Sequence, residues 1–556
     1  MTEETKDYKK SLEDLLSHYE DGWEIFIKAN KAGRWDYPVN KKEASKDIPG
    51  LPKTWLDLVE TAFGIIAKEK YGLDCYENQI DVISSDQMLD AYASNGMPVS
   101  YEHWSFGKQR VMEEQLYRQG KRGLAYEIVI NTDPAIAYCM ENNSPLMQML
   151  VIAHASFGHN NFFKKNTMFQ QHTEAQRIIN HLEQLRDFAR ECEDLYGYEE
   201  VEKLFDACHA LQYHSVYRYP RKQKPALNDE TSKAQALEKK AERFMKPSDD
   251  IITRGMKASK NFGEAANSNT PKKQRIGEEN ILMYLADNAP NLDEWKRKIM
   301  RMVAYKSQYF FPQMQTKVMN EGWASFWHIT LMNDMEELGL IDDGMYLEFM
   351  QSNGGVLFQP DFNPMNPYVL GFAIFNDLKR MCQNPTEEDK EWFPDIAGRE
   401  DWLNVLKEAM ENFKDETFIL QYLSPKVIRD HKLLTIHDDS KEDYVEVTAV
   451  HNKKGYQEII ESLASTYNFG GLLPNIDVAE YNRNTDRSLI LEHHIHKERP
   501  LYKKDMDEVL KHMHRLWGYP VILRSVDETG KEWDKMACPP KAANDTGSAP
   551  SLGSPF

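Results

Sequence analysis

The sequence predicts an α+β protein: a mostly helical N-terminal body with a small sheet, followed by a C-terminal ferredoxin-like domain of β-α-β-β-α-β order. Three observations carry this prediction. Apolar residues recur at helical spacing, as at Leu12, Leu15, Leu16 and Tyr19 and again at Trp55, Leu58, Val59, Ala62, Phe63 and Ile66. One β-branched run, Glu127-Ile-Val-Ile-Asn131, closes on Thr132-Asp-Pro134 and reads as a short strand ending in a turn. Beyond residue 440 the patterning changes to strands at 444–450, 476–482, 488–494 and 521–526 with helices at 455–467 and 503–517, which is the split βαβ order.

The 556 residues suffice for about three to four folding units. Hydrophobic residues make up 41% and aromatics 11%, enough to bury a core. The balance of 68 basic against 88 acidic residues gives a net charge of −20, which argues against phosphate backbones or anionic membranes as partners, so no nucleic acid is expected. Six scattered cysteines without a C-x-x-C pair fit neither a disulfide framework nor a cysteine zinc site. With no apolar leader and no apolar run near 20 residues, no membrane span is expected and a cytoplasmic location is.

In order along the chain, residues 1–219 form a helical region with the 127–131 strand. Ser144-Pro145 then opens an apolar helix through Met147, Leu150, Val151 and His154, with an N-cap serine and proline in the first turn. Residues 220–275 hold 14 Lys/Arg against 7 Asp/Glu and few apolar residues, and read as a basic linker or insertion open to proteases. Helical patterning returns over 276–435, the ferredoxin-like domain occupies 440–530, and the Pro, Gly, Ser and Ala composition from about 535 to 556 reads as a disordered tail.

Two segments carry the polar residues that chemistry would need. In Val151-Ile-Ala-His154-Ala-Ser-Phe-Gly158-His159, the histidines are five apart, a rotation of about 140° on a regular α-helix. They converge only if the helix is altered, and Gly158 suggests a helix end or a π-bulge. In Val318-Met-Asn-Glu321-Gly-Trp-Ala-Ser-Phe-Trp-His328, a carboxylate stands among large apolar residues and needs a buried partner. His154, His159 and Glu321 are therefore candidate ligands of a divalent metal, zinc among them, or else a hydrogen-bonded structural cluster. His328, two turns beyond Glu321, is a candidate for ring orientation or substrate contact. Glu193 and His209 are further candidate catalytic groups, since Asp206 and His209 at i, i+3 with Glu193 nearby echo dimetal helix bundles.

The order of strand, histidine helix and distant glutamate helix resembles that of gluzincin-type zinc hydrolases, and Asn320-Glu-Gly-Trp-Ala324 is similar to the stretch supplying their third ligand. Those enzymes carry H-E-x-x-H, whose glutamate activates water; here Ala155 follows His154. No G-x-S-x-G, Walker A or G-x-G-x-x-G motif is present.

Over about residues 10–530 the chain resembles the stage V sporulation protein R (SpoVR-like) family. The stretches that carry the resemblance are 99–108 (VSYEHWSFGK), 153–163 (AHASFGHNNFF), 207–211 (ACHAL) and 319–328 (MNEGWASFWH). The resemblance implies a role in forming peptidoglycan of the spore cortex or cell wall, and association with a serine protein kinase and a von Willebrand A-type domain protein. Two functions follow as expectations: a cytosolic regulator of wall formation that retains a metal-like site, or a zincin-like hydrolase of an amide.

Overall fold

The computed structural model describes residues 7–94, 96–119, 127–219, 276–360, 363–438, 445–449, 451–468, 473–495 and 499–539. The predicted basic linker at 220–275 and residues 540–556 of the predicted tail lie outside them. The chain divides into two units, one of residues 1–213 with 294–474 and one of 214–293 with 475–556.

The first unit is helical around a three-stranded sheet of β1 (Asn78–Ile83), β2 (Glu127–Ile130) and β3 (Ala135–Met140) in the order β1-β3-β2. β1 runs parallel to β3, and β2 pairs with β3 as an antiparallel hairpin with Glu127 opposite Cys139. The turn between them is held by Thr132, whose backbone N–H donates to the Ile130 carbonyl (2.8 Å) and whose Oγ1 accepts from the Ile136 N–H (3.1 Å). The chain leaves β3 through Ser144, whose Oγ accepts from the Met147 N–H, and enters the apolar helix Pro145–Ile152 at its proline.

That helix does not stop at its histidines. It continues through a π-helical turn, Ala153–His159, into Asn160–Lys165, so all three pieces form one rod. Against it packs the helix Lys317–Glu337, and against that the helix Pro367–Gln383. Both are apolar on most sides, as helices enclosed by neighbours are. Trp323, Trp327, Phe326 and Phe375 meet edge-on at their centre, with Trp323 and Phe375 ring centroids 5.1 Å apart.

The rods approach so closely because glycine stands where they cross. A Cβ at Gly158 would lie 2.8 Å from the Ala324 Cβ, and one at Gly322 would lie 2.8 Å from the Phe372 backbone nitrogen. Gly158 therefore serves an interhelical contact inside the π turn.

β4 (Thr435–Asp438) and β5 (Val445–Ala449) form a separate two-stranded antiparallel sheet in this first unit. The second unit holds a four-stranded sheet of β6 (Asn475–Tyr481), β7 (Leu489–His494), β8 (Val521–Val526) and β9 (Glu532–Cys538). The order is β6-β7-β8-β9, with β7 and β8 parallel through the helix Lys503–Trp517 and the outer pairs antiparallel. Residues 276–278 run beside β6, with the Val478 N–H donating to the Glu278 carbonyl at 2.9 Å.

This corrects the expected ferredoxin-like domain at 440–530 in three respects. The 444–450 strand pairs locally with 435–438 instead of entering the C-terminal sheet, and the boundary falls at 474. Residues 276–293 belong with the C-terminal unit instead of the helical region that precedes it. The fourth strand comes from 532–538, part of which was expected to be disordered. The signal for that strand lies in its turn. Asp527 Oδ1 accepts from the Thr529 and Lys531 N–H groups, and Gly530 takes the left-handed conformation (φ +80°), a hairpin connection that composition does not register.

Candidate metal centre

The π turn settles the position of the two histidines. Hydrogen bonds from i to i+5 widen the helix, so residues five apart stack on one face. His154 and His159 accordingly lie edge to face with ring centroids 4.6 Å apart. Glu321, from the adjacent helix, reaches between them: its Oε2 is 3.5 Å from His159 Nε2 and 3.7 Å from His154 Nε2. One ligand atom from each of the three lies within 4.8 Å of the others. Nitrogen and oxygen donors held about 2.1 Å from a tetrahedral ion lie about 3.4 Å apart, so the spacing suits a cation with little adjustment. Glu321 Oε2 is buried and has no hydrogen-bond partner among the described residues, which a carboxylate oxygen tolerates poorly unless a cation or water meets it.

The far side of each imidazole is fixed. His159 Nδ1 lies 2.9 Å from Asn320 Oδ1, an acceptor, so Nδ1 carries the proton and Nε2 presents a lone pair to Glu321. His154 Nδ1 lies 2.9 Å from His328 Nδ1, and His328 Nε2 lies 2.9 Å from Asn353 Oδ1. Since Asn353 Oδ1 accepts, neutral His328 carries its proton on Nε2 and leaves Nδ1 bare; His154 therefore donates from Nδ1. Asn353 thus dictates the tautomer of two rings, and His154 Nε2 is directed toward the carboxylates. This is the outer arrangement that metal-binding imidazoles have.

Charge follows from burial and neighbours. Burial pushes His328 down to about 3, aided by the charge of His154 and opposed by Asn353. Burial and His154 push His159 down to about 4. His154 is raised, because Glu321 and Glu127 outweigh its burial. Glu321 is held below the ordinary carboxylate range against burial by His154, His159 and the Tyr368 hydroxyl. Burial raises the Glu127 carboxyl, with Glu321 adding to it and His154 opposing.

Residues 54–472 match the family model described as SpoVR like protein, and residues 474–528 match the SpoVR-like C-terminal domain. The chain belongs to the SpoVR-like family. The two matched stretches meet where the first structural unit ends, at residue 474. A relative in Escherichia coli K12, recorded as uncharacterized protein YcgB, is 47% identical over 503 residues, which cover 90% of this SpoVR-like chain and 97% of the relative. No solved structure matches, so a zincin-like core has no structural counterpart to support it. No helix among the described residues is long and apolar enough to cross a membrane.

In this SpoVR-like chain His154, His159 and Glu321 come together and His328 touches the cluster from behind. Glu193 and His209, expected as further catalytic groups, do not join them. Glu193 lies on the helix Ile178–Tyr196 among Glu102, Glu202 and Arg190. His209 lies on Tyr198–Ala210, where its Nε2 is 2.6 Å from the Tyr101 hydroxyl and its ring stands edge-on to His103. No hydrogen bond, ion pair or ring contact among the described residues links either to the centre. An i, i+3 spacing establishes a shared helix face and says nothing of which face the fold turns toward the centre.

Three residues at the centre had no role assigned from sequence. Glu127 opens β2 and places Oε1 3.8 Å from His154 Nε2. Tyr368 faces Glu321 and lies nearly parallel to the His154 ring, 6.4 Å between centroids. Asn353 comes from the helix Asp343–Val356. Only Glu127 left a trace in sequence, as a charged residue beginning an otherwise apolar strand.

Proposed function

We propose that this SpoVR-like chain binds one divalent cation, zinc or a close relative, through His154, His159 and Glu321 and acts as a metal-dependent hydrolase on an amide. The observation that carries this reading is the convergence of two imidazole Nε2 atoms on one carboxylate oxygen that has no hydrogen bond among the described residues, at N–O distances of 3.7 and 3.5 Å, near those of a tetrahedral site. A structural cluster would satisfy its own polar atoms, whereas here Asn320, His328 and Asn353 satisfy the outward-facing ones and Glu321 Oε2 is left without a hydrogen bond among the described residues. Three protein ligands leave a coordination position for water, the pattern of catalytic sites. The family's association with the spore cortex and cell wall favours an amide of a peptidoglycan precursor as substrate.

Elemental analysis of the purified full chain tests the reading. About one equivalent of zinc or another divalent metal is expected, falling below a tenth of that in a His154→Ala/His159→Ala double variant whose circular dichroism is unchanged. Equal metal content in both, or none in either, would sink it and leave regulation through the kinase and von Willebrand A-type partners as the remaining account.

Asn353→Leu is a finer probe. With no acceptor at its Nε2, His328 no longer enforces the His154 tautomer, and metal affinity measured by chelator competition is expected to fall about 10- to 100-fold. Unchanged affinity would mean that the imidazole chain does not set the ligand.

A further inference from the structure

We infer that Glu127, on β2, is the base that activates water at this centre, in the role left open by Ala155. The inference rests on the metal reading above and adds the group that the histidine helix lacks. Glu127 reaches the centre from the sheet, on a strand held in register with β3 from Glu127 to Ile130. Its Oε1 is 3.8 Å from His154 Nε2, too far for a hydrogen bond to that ring. It falls outside the trio whose ligand atoms lie within 4.8 Å of one another, so it adjoins the candidate ligand set at His154 without belonging to it. A carboxylate at that remove from a ligand nitrogen can hydrogen-bond a water at the open position, at about 2.7 Å. Among the described residues no hydrogen bond engages the Glu127 carboxylate, which leaves it available to that water. Tyr368, facing Glu321, stands near enough to line the same space.

In the step this geometry supports, Glu127 takes one proton from the attacking water as the new C–O bond forms at the amide carbonyl. It returns that proton to the departing nitrogen as the C–N bond breaks. Water and amide give acid and amine, and Glu127 ends as it began. The arrangement differs from H-E-x-x-H sites in that base and imidazoles come from different elements, a strand and a helix.

The test needs no natural substrate. Cobalt(II)-loaded full chain is titrated with acetohydroxamic acid, which occupies the open position and passes its proton to a neighbouring base, and binding is read from the visible cobalt spectrum. Glu127→Gln is expected to retain one equivalent of cobalt and to bind acetohydroxamate at least tenfold more weakly. Glu127→Asp, which keeps the charge but withdraws it by one methylene, is expected to weaken binding as well, and unchanged melting of both variants separates the effect from misfolding. Hydroxamate affinity unchanged in Glu127→Gln would overturn the base role while leaving the metal reading intact. Loss of cobalt from Glu127→Gln would overturn it by making Glu127 a ligand. Failure of the wild-type chain to take up cobalt would instead overturn the metal reading on which the inference stands.

Discussion

Gly371→Ala is expected to cost the first unit at least about 3 kcal/mol and to leave most of the chain in the insoluble fraction. A Cβ at Gly371 would run into the Val318 carbonyl oxygen and come within 2.7 Å of the Gly322 Cα. Both obstacles are backbone, so no side-chain rotation relieves the clash and two helices must separate. Overpacking by a methyl group costs typically about 1–3 kcal/mol where side chains can shift, and here they cannot. That loss is a large part of the roughly 5–15 kcal/mol that holds a domain folded. The displaced helix also carries Glu321 one residue from the contact, so any soluble fraction should bind metal poorly. Thermal melts and soluble yield check this. A variant with wild-type melting would mean that the helices do not meet at Gly322 and Gly371.

Asp415→Ala should destabilise by about 3 kcal/mol through the opposite defect, an unmet need. The helix Lys317–Glu337 starts at Thr316, whose side chain makes no capping bond. Its exposed-end role is filled from afar by Asp415, which accepts from the Val318 and Met319 N–H groups, both at 2.9 Å, while itself buried. Alanine leaves those two donors without acceptors, at about 1–3 kcal/mol each before relaxation. The same residue makes stability depend on pH. Burial raises Asp415 to about 7 despite the opposing backbone N–H groups of Met319, Val318 and Lys317. Because the folded value lies above the unfolded one of 3.8, the folded state holds the proton more tightly. Its contribution is complete below pH 4 and lost as pH rises through 7, with an upper bound of about 4 kcal/mol for three pH units. Asp415→Asn accepts through one oxygen only and costs about 1 kcal/mol, but removes that slope. The difference between wild type and Asp415→Asn in urea melts from pH 4 to 8 isolates it, and parallel profiles would refute the assignment.

What the sequence reveals of this centre follows from what is local. Two histidines five apart at the end of an apolar run already require a helix that is not regular, and the π turn supplies it. Glu321 is legible because an acid among Trp323, Phe326 and Trp327 must be buried. Convergence of the two segments across more than 160 residues follows from the cost of burying each alone, and it holds in the geometry. Tyr368 and Asn353 reach the centre only through helix packing, which leaves no period or spacing to read. Glu193 and His209 lie elsewhere for the same reason in reverse, since their local pattern is turned to another neighbourhood. Gly322 looked like part of a ligand motif, yet its necessity lies in Gly371, nearly fifty residues on. The C-terminal sheet is least legible at β5 and β9, because strand character is local whereas the choice of partner, β4 for β5 and β8 for β9, is not.

The π turn has one more consequence, which concerns length. Removing one residue between His154 and His159 would restore a plain α-helix and set the imidazoles four apart, still on one face. Five residues of a π turn rotate the chain by about as much as four of an α-helix, so everything beyond His159 would keep its phase. Asn160, which bonds both the Tyr76 backbone and Asn78, would stay against the sheet, and Asn161 would keep the Asp74 carbonyl and the Trp323 indole N–H. The extra residue is therefore absorbed inside the turn, where Gly158 meets Ala324, and the candidate ligands and the packing contacts share one alignment on either side of it. A single-residue deletion there would preserve that alignment and change only the contacts of the turn itself.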